Sequence, residues 1–201
     1  MSIDEGYIKF ESHWTPGPAA DPELTALLDR WRQPLFDAGL IGHYDELGVG
    51  YGNLSVRARD SGFVISGTQT GHIRNTGGPH YALVTDYDIA ANQVFSTGPV
   101  EASSESLTHA AIYELDATIS AVVHVHSASL WAKHLGRLPT TADDISYGTP
   151  EMARELERLL RNTAFATSGV AVMAGHEEGV IAYGRSLEEA AGRILALQSE
   201  R

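Results

Sequence analysis

The sequence predicts an α/β domain in which helices flank a mainly antiparallel sheet. Three observations carry that expectation. Helix-start signals stand at Asp21-Pro22, at Thr149-Pro150 and at Ser186 with Glu189 three residues later. Short apolar or alternating runs, separated by glycine-rich turns, fill the stretches between them. The regular strand–helix alternation of a doubly wound nucleotide fold is missing, so an all-parallel sheet is not expected.

Taken in order, residues 1–20 are polar and contain proline and glycine, which reads as a loose N-terminal arm. The domain then spans residues 21–201, a length sufficient for one proper core. Asp21 can accept from the first free N–H groups of a helix, and Pro22 presets φ, so PELTALLDRWRQPLFDAGL should be helical towards Gly39 with a kink near Pro34. NLSVRA and GFVIS read as antiparallel strands. SGTQTGHIRNTGGPHY is a long loop, and such loops are more often functional or mobile than passive. SSESLTHAAIYEL has helical spacing, and AVVHVHS is a strand. TPEMARELERLLRN is a helix, GVAVMAG and GVIAYG are paired strands around a HEE turn, and a last helix follows Ser186.

Composition bounds the function. The 14 Lys and Arg against 26 Asp and Glu give a formal charge of −12, which argues against nucleic acid or an anionic membrane as partner. A small anion remains compatible, because backbone N–H groups can bind it locally. With no cysteine, any metal must sit on His, Asp or Glu. The N-terminus lacks the apolar stretch of a signal peptide, and no apolar run nears the about 20 residues that span a bilayer, so a cytoplasmic protein is expected.

The chemistry-bearing residues begin with His124 and His126. Positions i and i+2 of a strand share a face, with Cβ atoms roughly 6–7 Å apart, so both rings could reach one ion. Two hydrogen-bonded structural histidines fit the same pattern. His176, in a turn at a strand end, is a candidate third ligand if its strand pairs with 121–127; by itself it reads as a solvated turn residue. Glu105 is the candidate carboxylate, although any helix favours an acid in its first turn. Ser103 and Ser104 precede that helix, whose N–H groups suit an anion. His109, one turn on, reads as a packing histidine. Gly50 and Gly52 permit close backbone approach beside Asn53 and Ser55, or form an ordinary turn.

In order, GNLS (52–55), FVISGTQTG (63–71), SSESLTHAAIY (103–113), AVVHVHS (121–127) and GHEEGVIAYGRSLEEA (175–190) resemble the class II aldolase/adducin family over roughly residues 25–195. Its members include fuculose-phosphate and rhamnulose-phosphate aldolases, ribulose-phosphate 4-epimerase and methylthioribulose-phosphate dehydratase. The resemblance implies a three-layer α/β/α domain around an antiparallel sheet, assembled as a homotetramer with sites between subunits. It implies that His124, His126 and His176 ligate one divalent cation per chain, usually zinc, with Mn2+ or Fe2+ as alternatives. Glu105 matches the carboxylate that ligates the resting metal and then works as acid/base. Gly52, Asn53, Ser66, Gly67, Ser103 and Ser104 match positions that hold a substrate phosphate.

The activity so implied is that of a metal-dependent lyase, an aldolase acting on a small, phosphorylated, sugar-like hydroxy-carbonyl compound through a metal-stabilised enediolate. Dehydration, epimerisation, decarboxylation and iron-dependent oxygenation are alternatives on the same site. A non-catalytic adducin-like module is disfavoured because all three histidines are kept. The chain departs from the family at Glu177, where glycine commonly follows the third histidine, and in the length of the 68–81 loop, where His72, Arg74 and His80 read as a solvated loop or as candidate substrate contacts. The C-terminal tail that carries a catalytic tyrosine in the sugar-phosphate aldolases is expected to be missing.

Overall fold

The structure, a computed structural model, describes residues 6–199. The chain runs β1 (Glu11–Pro16), α1 (Pro22–Asp37), β2 (Gly42–Tyr44), β3 (Val49–Tyr51), β4 (Asn53–Arg57), β5 (Phe63–Ser66), β6 (Tyr81–Asp88) and β7 (Gln93–Gly98). It continues through α2 (Ser106–Leu115), β8 (Ala121–His126), α3 (Ala128–His134), α4 (Pro150–Asn162), α5 (Phe165–Ser168), β9 (Val170–Val172), β10 (Gly179–Gly184) and α6 (Leu187–Ser199). Eight strands form one sheet in the order β1-β7-β6-β5-β4-β8-β10-β9, and β2 with β3 makes a separate ribbon. All pairs in the main sheet are antiparallel except β1 with β7.

Both faces of the sheet are covered, which gives three layers. On one face Phe63, Ile65, Val84, Val122 and Ile181 pack with Leu107 and Ile112 of α2 and Met152 and Leu156 of α4. On the other, Leu54, Val64, Val123, Val125 and Val180 pack with Leu28 and Leu35 of α1 and Ala190 and Ile194 of α6. Strand β8 is therefore buried along its whole length, yet its two faces differ. Val123 and Val125 look into one core, and burying each contributes roughly 1.5–3 kcal/mol. The residues that alternate with them, His124 and His126, share the face of Val122.

The helix signals act as their chemistry requires. Asp21 Oδ1 accepts from Glu23 N at 2.8 Å, and Thr149 Oγ1 accepts from Met152 N at 3.3 Å. Ser186 Oγ accepts from Glu189 N, while the Glu189 carboxylate reaches back to Arg185 N at 2.7 Å. Helix α1 continues past Pro34 to Asp37 and ends at Gly39, whose φ is +71°. Pro34 lacks the N–H that would bond Arg30 O, so the last turn does without one ladder hydrogen bond.

One expectation needs correction, and one long loop is held more firmly than its length suggests. Part of the segment read as a loose arm is ordered sheet: Glu11–Pro16 adds parallel to β7, and Trp14 Nε1 donates to Gly98 O at 3.1 Å. The strand is polar and ends in proline, which only an edge position accepts, so it carries little strand signal. The 68–81 loop is also anchored. The buried Arg32 guanidinium donates to the carbonyls of Thr70, Gly71, Ile73 and Arg74, and Asp29 accepts from Tyr81 and Thr76. Arg74 forms a bidentate pair with Asp37, His80 Nδ1 accepts from Gly77 N, and His72 packs edge-on against His43. These side chains hold the loop to its own surroundings.

Candidate metal centre

Strand pairing assembles the site. Strand β10 lies antiparallel to β8, with Gly179 opposite His126, so the turn between β9 and β10 brings His176 over the end of β8. Position 179 has to be glycine: a Cβ there would meet His176 Cδ2 at 2.6 Å and His176 O at 2.8 Å. The three Nε2 atoms converge, with His126 at 3.0 Å from His124 and 2.9 Å from His176. Glu105, the residue preceding α2, places Oε1 3.4 Å from His176 Nε2 and 3.8 Å from His124 Nε2. All four side chains are buried.

Hydrogen bonding alone cannot satisfy three neutral rings that point their nitrogens at one another, because each carries a single N–H. Burial keeps them neutral, pushing His124 down to about 3 and holding His126 and His176 well below the ordinary imidazole value. One ion at about 2.0–2.1 Å from each nitrogen would set tetrahedral N–N separations near ~3.3 Å, close to those observed. Burial raises the Glu105 carboxyl to about 7, against the smaller opposing influences of Thr108 and Lys9. Apart from the nearby Thr108 hydroxyl, neither of its oxygens meets a hydrogen-bond partner among the described residues. The donor set, spacing and buried carboxylate thus fit a divalent cation.

A polar cavity adjoins this centre, lined by Gly52, Asn53, Gly67, Ser103 and Ser104, with Gly50 and residues 68–71. Asn53 stands directly across from His124 on β4, and its Oδ1 has no partner among the described residues. Gly52 adopts φ +74°, and a Cβ would meet Leu40 O at 2.9 Å. Ser66 does not line the cavity; its Oγ lies 3.3 Å from Leu54 N. Ser103 Oγ accepts from Glu105 N at 3.2 Å. Ser55 faces away towards the core, where its Oγ shares a 2.7 Å hydrogen bond with His109 Nδ1, consistent with packing at His109.

Sequence reasoning missed four residues here. Lys9 Nζ sits 3.8 Å above the Tyr147 ring, which packs edge-on against His176 at 4.3 Å, and its charge lowers both Glu105 and His176. Tyr44 OH lies 3.2 Å from His126 Nδ1 and donates to Glu178 Oε2 at 2.6 Å. Lys9 comes from the presumed arm and Tyr44 from a three-residue strand, so neither carried a local signal. Glu178 was visible only as part of the departure after His176.

Fold and site together define a class: an α/β/α domain with a buried three-histidine, one-carboxylate centre at the end of an antiparallel sheet. The family model for the class II aldolase and adducin N-terminal domain matches residues 39–199, and the chain belongs to that family. Among solved structures, it is similar to YgbL from Escherichia coli and from Klebsiella pneumoniae, whose reaction is left open between aldolase, epimerase and decarboxylase. Both are 20% identical, with TM-scores of 0.68 and 0.67, covering 88% of this chain and 86% and 85% of theirs. A sugar-phosphate aldolase from Thermotoga maritima is 15% identical with a TM-score of 0.61, covering 88% of this chain and 90% of its own. At these identities the likeness speaks for the fold, including the central sheet between helical layers.

Proposed function

We propose that the chain is a divalent-metal-dependent lyase that cleaves or forms a C–C bond in a small, phosphorylated hydroxy-carbonyl compound. The observation that supports this best is the convergence of three buried Nε2 atoms on one point beside the buried Glu105 carboxylate. His124, His126 and His176 hold the ion, with zinc as the proposed resting species. When bound, the ion supplies Lewis acidity that polarises a carbonyl oxygen and lowers the barrier to breaking the adjacent bond.

The remaining work falls to side chains. Glu105 Oε1 takes the proton of the substrate hydroxyl as the C–C bond breaks and returns it to the carbon left behind. A carboxyl raised by burial towards neutrality suits that exchange, and a bound cation lowers it again towards the charged form. Asn53, Gly52, Gly67, Ser103 and Ser104 bind the phosphate through N–H and O–H donors, while Ser66 supports the cavity from behind. The family's four-fold assembly extends the proposal to a homotetramer.

A second reading keeps the site and changes the bond. Lys9 Nζ stands over the Tyr147 ring that packs on His176, and a cation so placed favours a substrate with a carboxylate near the reacting carbon, which would be lost as carbon dioxide. The test is reconstitution with zinc, manganese or iron and a screen of ketose and aldose phosphates and their acid analogues. Aldehyde release supports the lyase, and carbon dioxide release the second reading. Full turnover by Glu105→Gln would remove the acid/base assignment.

A further inference from the structure

The residues around His126 carry an assignment that the three-histidine centre alone does not. Tyr44 OH is 2.6 Å from Glu178 Oε2 and 3.2 Å from His126 Nδ1. A carboxylate can only accept, so the single phenolic hydrogen lies on the short contact to Glu178. The Tyr44 oxygen is then left with lone pairs facing His126, and the hydrogen between them has to come from Nδ1. The reverse arrangement would set two acceptors 2.6 Å apart with nothing between them.

From this geometry we propose that Glu178 and Tyr44 are positioning residues for the metal centre, fixing His126 in the Nδ1–H tautomer so that Nε2 presents its lone pair to the ion. The inference rests on the metal-centre reading above. Two separate features support it. Glu178 adopts φ +67°, a left-handed conformation that suits glycine and strains a residue with a Cβ. Such strain persists where the side chain is used. Its backbone also serves the same strand, since Glu178 O accepts from Ser127 N at 2.9 Å, directly after His126. The side chain and carbonyl of one strained residue therefore bracket His126, while the neighbouring Glu177 points to solvent.

The relay differs from the usual outer contact of a metal-bound histidine, a carboxylate or carbonyl bonded directly to the ring. Here the phenol stands between, held in place by ring contacts with Tyr51 at 4.5 Å and by the two-stranded β2–β3 ribbon. The charge reaches His126 through a neutral group.

The test is metal affinity, measured by competition with a chromophoric chelator for Zn2+ and Mn2+, alongside thermal unfolding of the metal-stripped protein. Tyr44→Phe keeps the ring and removes the relay, and it is expected to weaken binding of both ions about 10–100-fold. Glu178→Gly is expected to weaken binding similarly while melting no lower than the parent without metal, because glycine takes this φ without strain. A merely structural Glu178 would move the two readouts together. Tyr51→Phe, which keeps its ring contact with His126, is the control expected to bind normally. Parent-like affinity in both Tyr44→Phe and Glu178→Gly overturns the relay and leaves the metal centre standing. A parent protein that binds no divalent ion overturns the metal centre itself, and the relay with it.

Discussion

Gly179→Ala tests the centre without touching a donor atom. The new Cβ would stand 2.6 Å from His176 Cδ2, 2.8 Å from His176 O and 3.3 Å from His124 Cε1. Carbon atoms pack at about 3.5–4.0 Å, so the His176 ring must retreat by about 1 Å. The backbone cannot absorb this cheaply. Gly179 N donates to His176 O at 2.8 Å and Met173 N to Gly179 O at 2.9 Å, which closes the turn on both sides. A coordination shell tolerates roughly ±0.2 Å, so the shift should remove most of one ligand's contribution and weaken metal binding at least about 10–100-fold. Overpacking alone should cost about 1–3 kcal/mol of stability in the metal-free protein. Chelator competition and chemical denaturation measure the two effects. Gly192→Ala, where a Cβ meets nothing within 4 Å, should instead stabilise by about 0.5–1 kcal/mol. Parent-like zinc affinity in Gly179→Ala would refute the claim that the turn places His176 on a common ion.

His126→Ala should empty the centre and abolish turnover, read by metal content after dialysis; retention of one tightly held ion per chain would count against the ligand set. Glu105→Gln should keep the fold and the ion while losing most activity, read as kcat under saturating substrate. Arg32→Met leaves the carbonyls of Thr70, Gly71, Ile73 and Arg74 without their buried donor, for an expected loss of about 3 kcal/mol in urea denaturation; a loss under about 1 kcal/mol would mean the loop is held elsewhere. The metal-free protein should also weaken in acid. His109, His124, His126 and His176 are held below 6.5 when folded, so under that pH the unfolded chain gains protons the native one refuses. Each can remove up to about 1.4 kcal/mol per pH unit. Glu105, raised to about 7, acts oppositely as pH falls from there towards 4.5, one carboxyl against four imidazoles. Denaturation at pH 7.5, 6.5 and 5.5 should show the decline, and a flat profile would contradict the buried neutral rings.

What could be read from the chain was whatever short spacing encodes. His124 and His126 share a face because a strand has period two, and the capping signals at Asp21, Thr149 and Ser186 each mark a helix start that the structure contains. The mainly antiparallel sheet followed from glycine-separated strands. Long-range order was not legible in this way. Strand β1 is polar, and only its partner β7 makes it a strand. Arg32 looks like one more charged position of an amphipathic helix, and nothing local says that it turns inward to hold a loop forty residues away. The same applies to Lys9 and Tyr44, which reach the centre from elements with no pattern of their own.

The departure after His176 shows why local reading stopped where it did. In sequence, Glu177 and Glu178 look interchangeable, two acids in a turn where the family commonly has glycine first. In the fold the first points to solvent and the second turns inward at a positive φ to meet Tyr44. The distinction comes from the turn's handedness, which is set by the pairing of β9 with β10 and by the closure of Gly179 onto His176. Three buried neutral imidazoles crowded against a buried carboxylate weaken a core, and a bound ion would offset that cost. A fold that keeps such a cluster at the end of its central strand, with a strained glutamate beside it, carries a local instability that the proposed ion would remove.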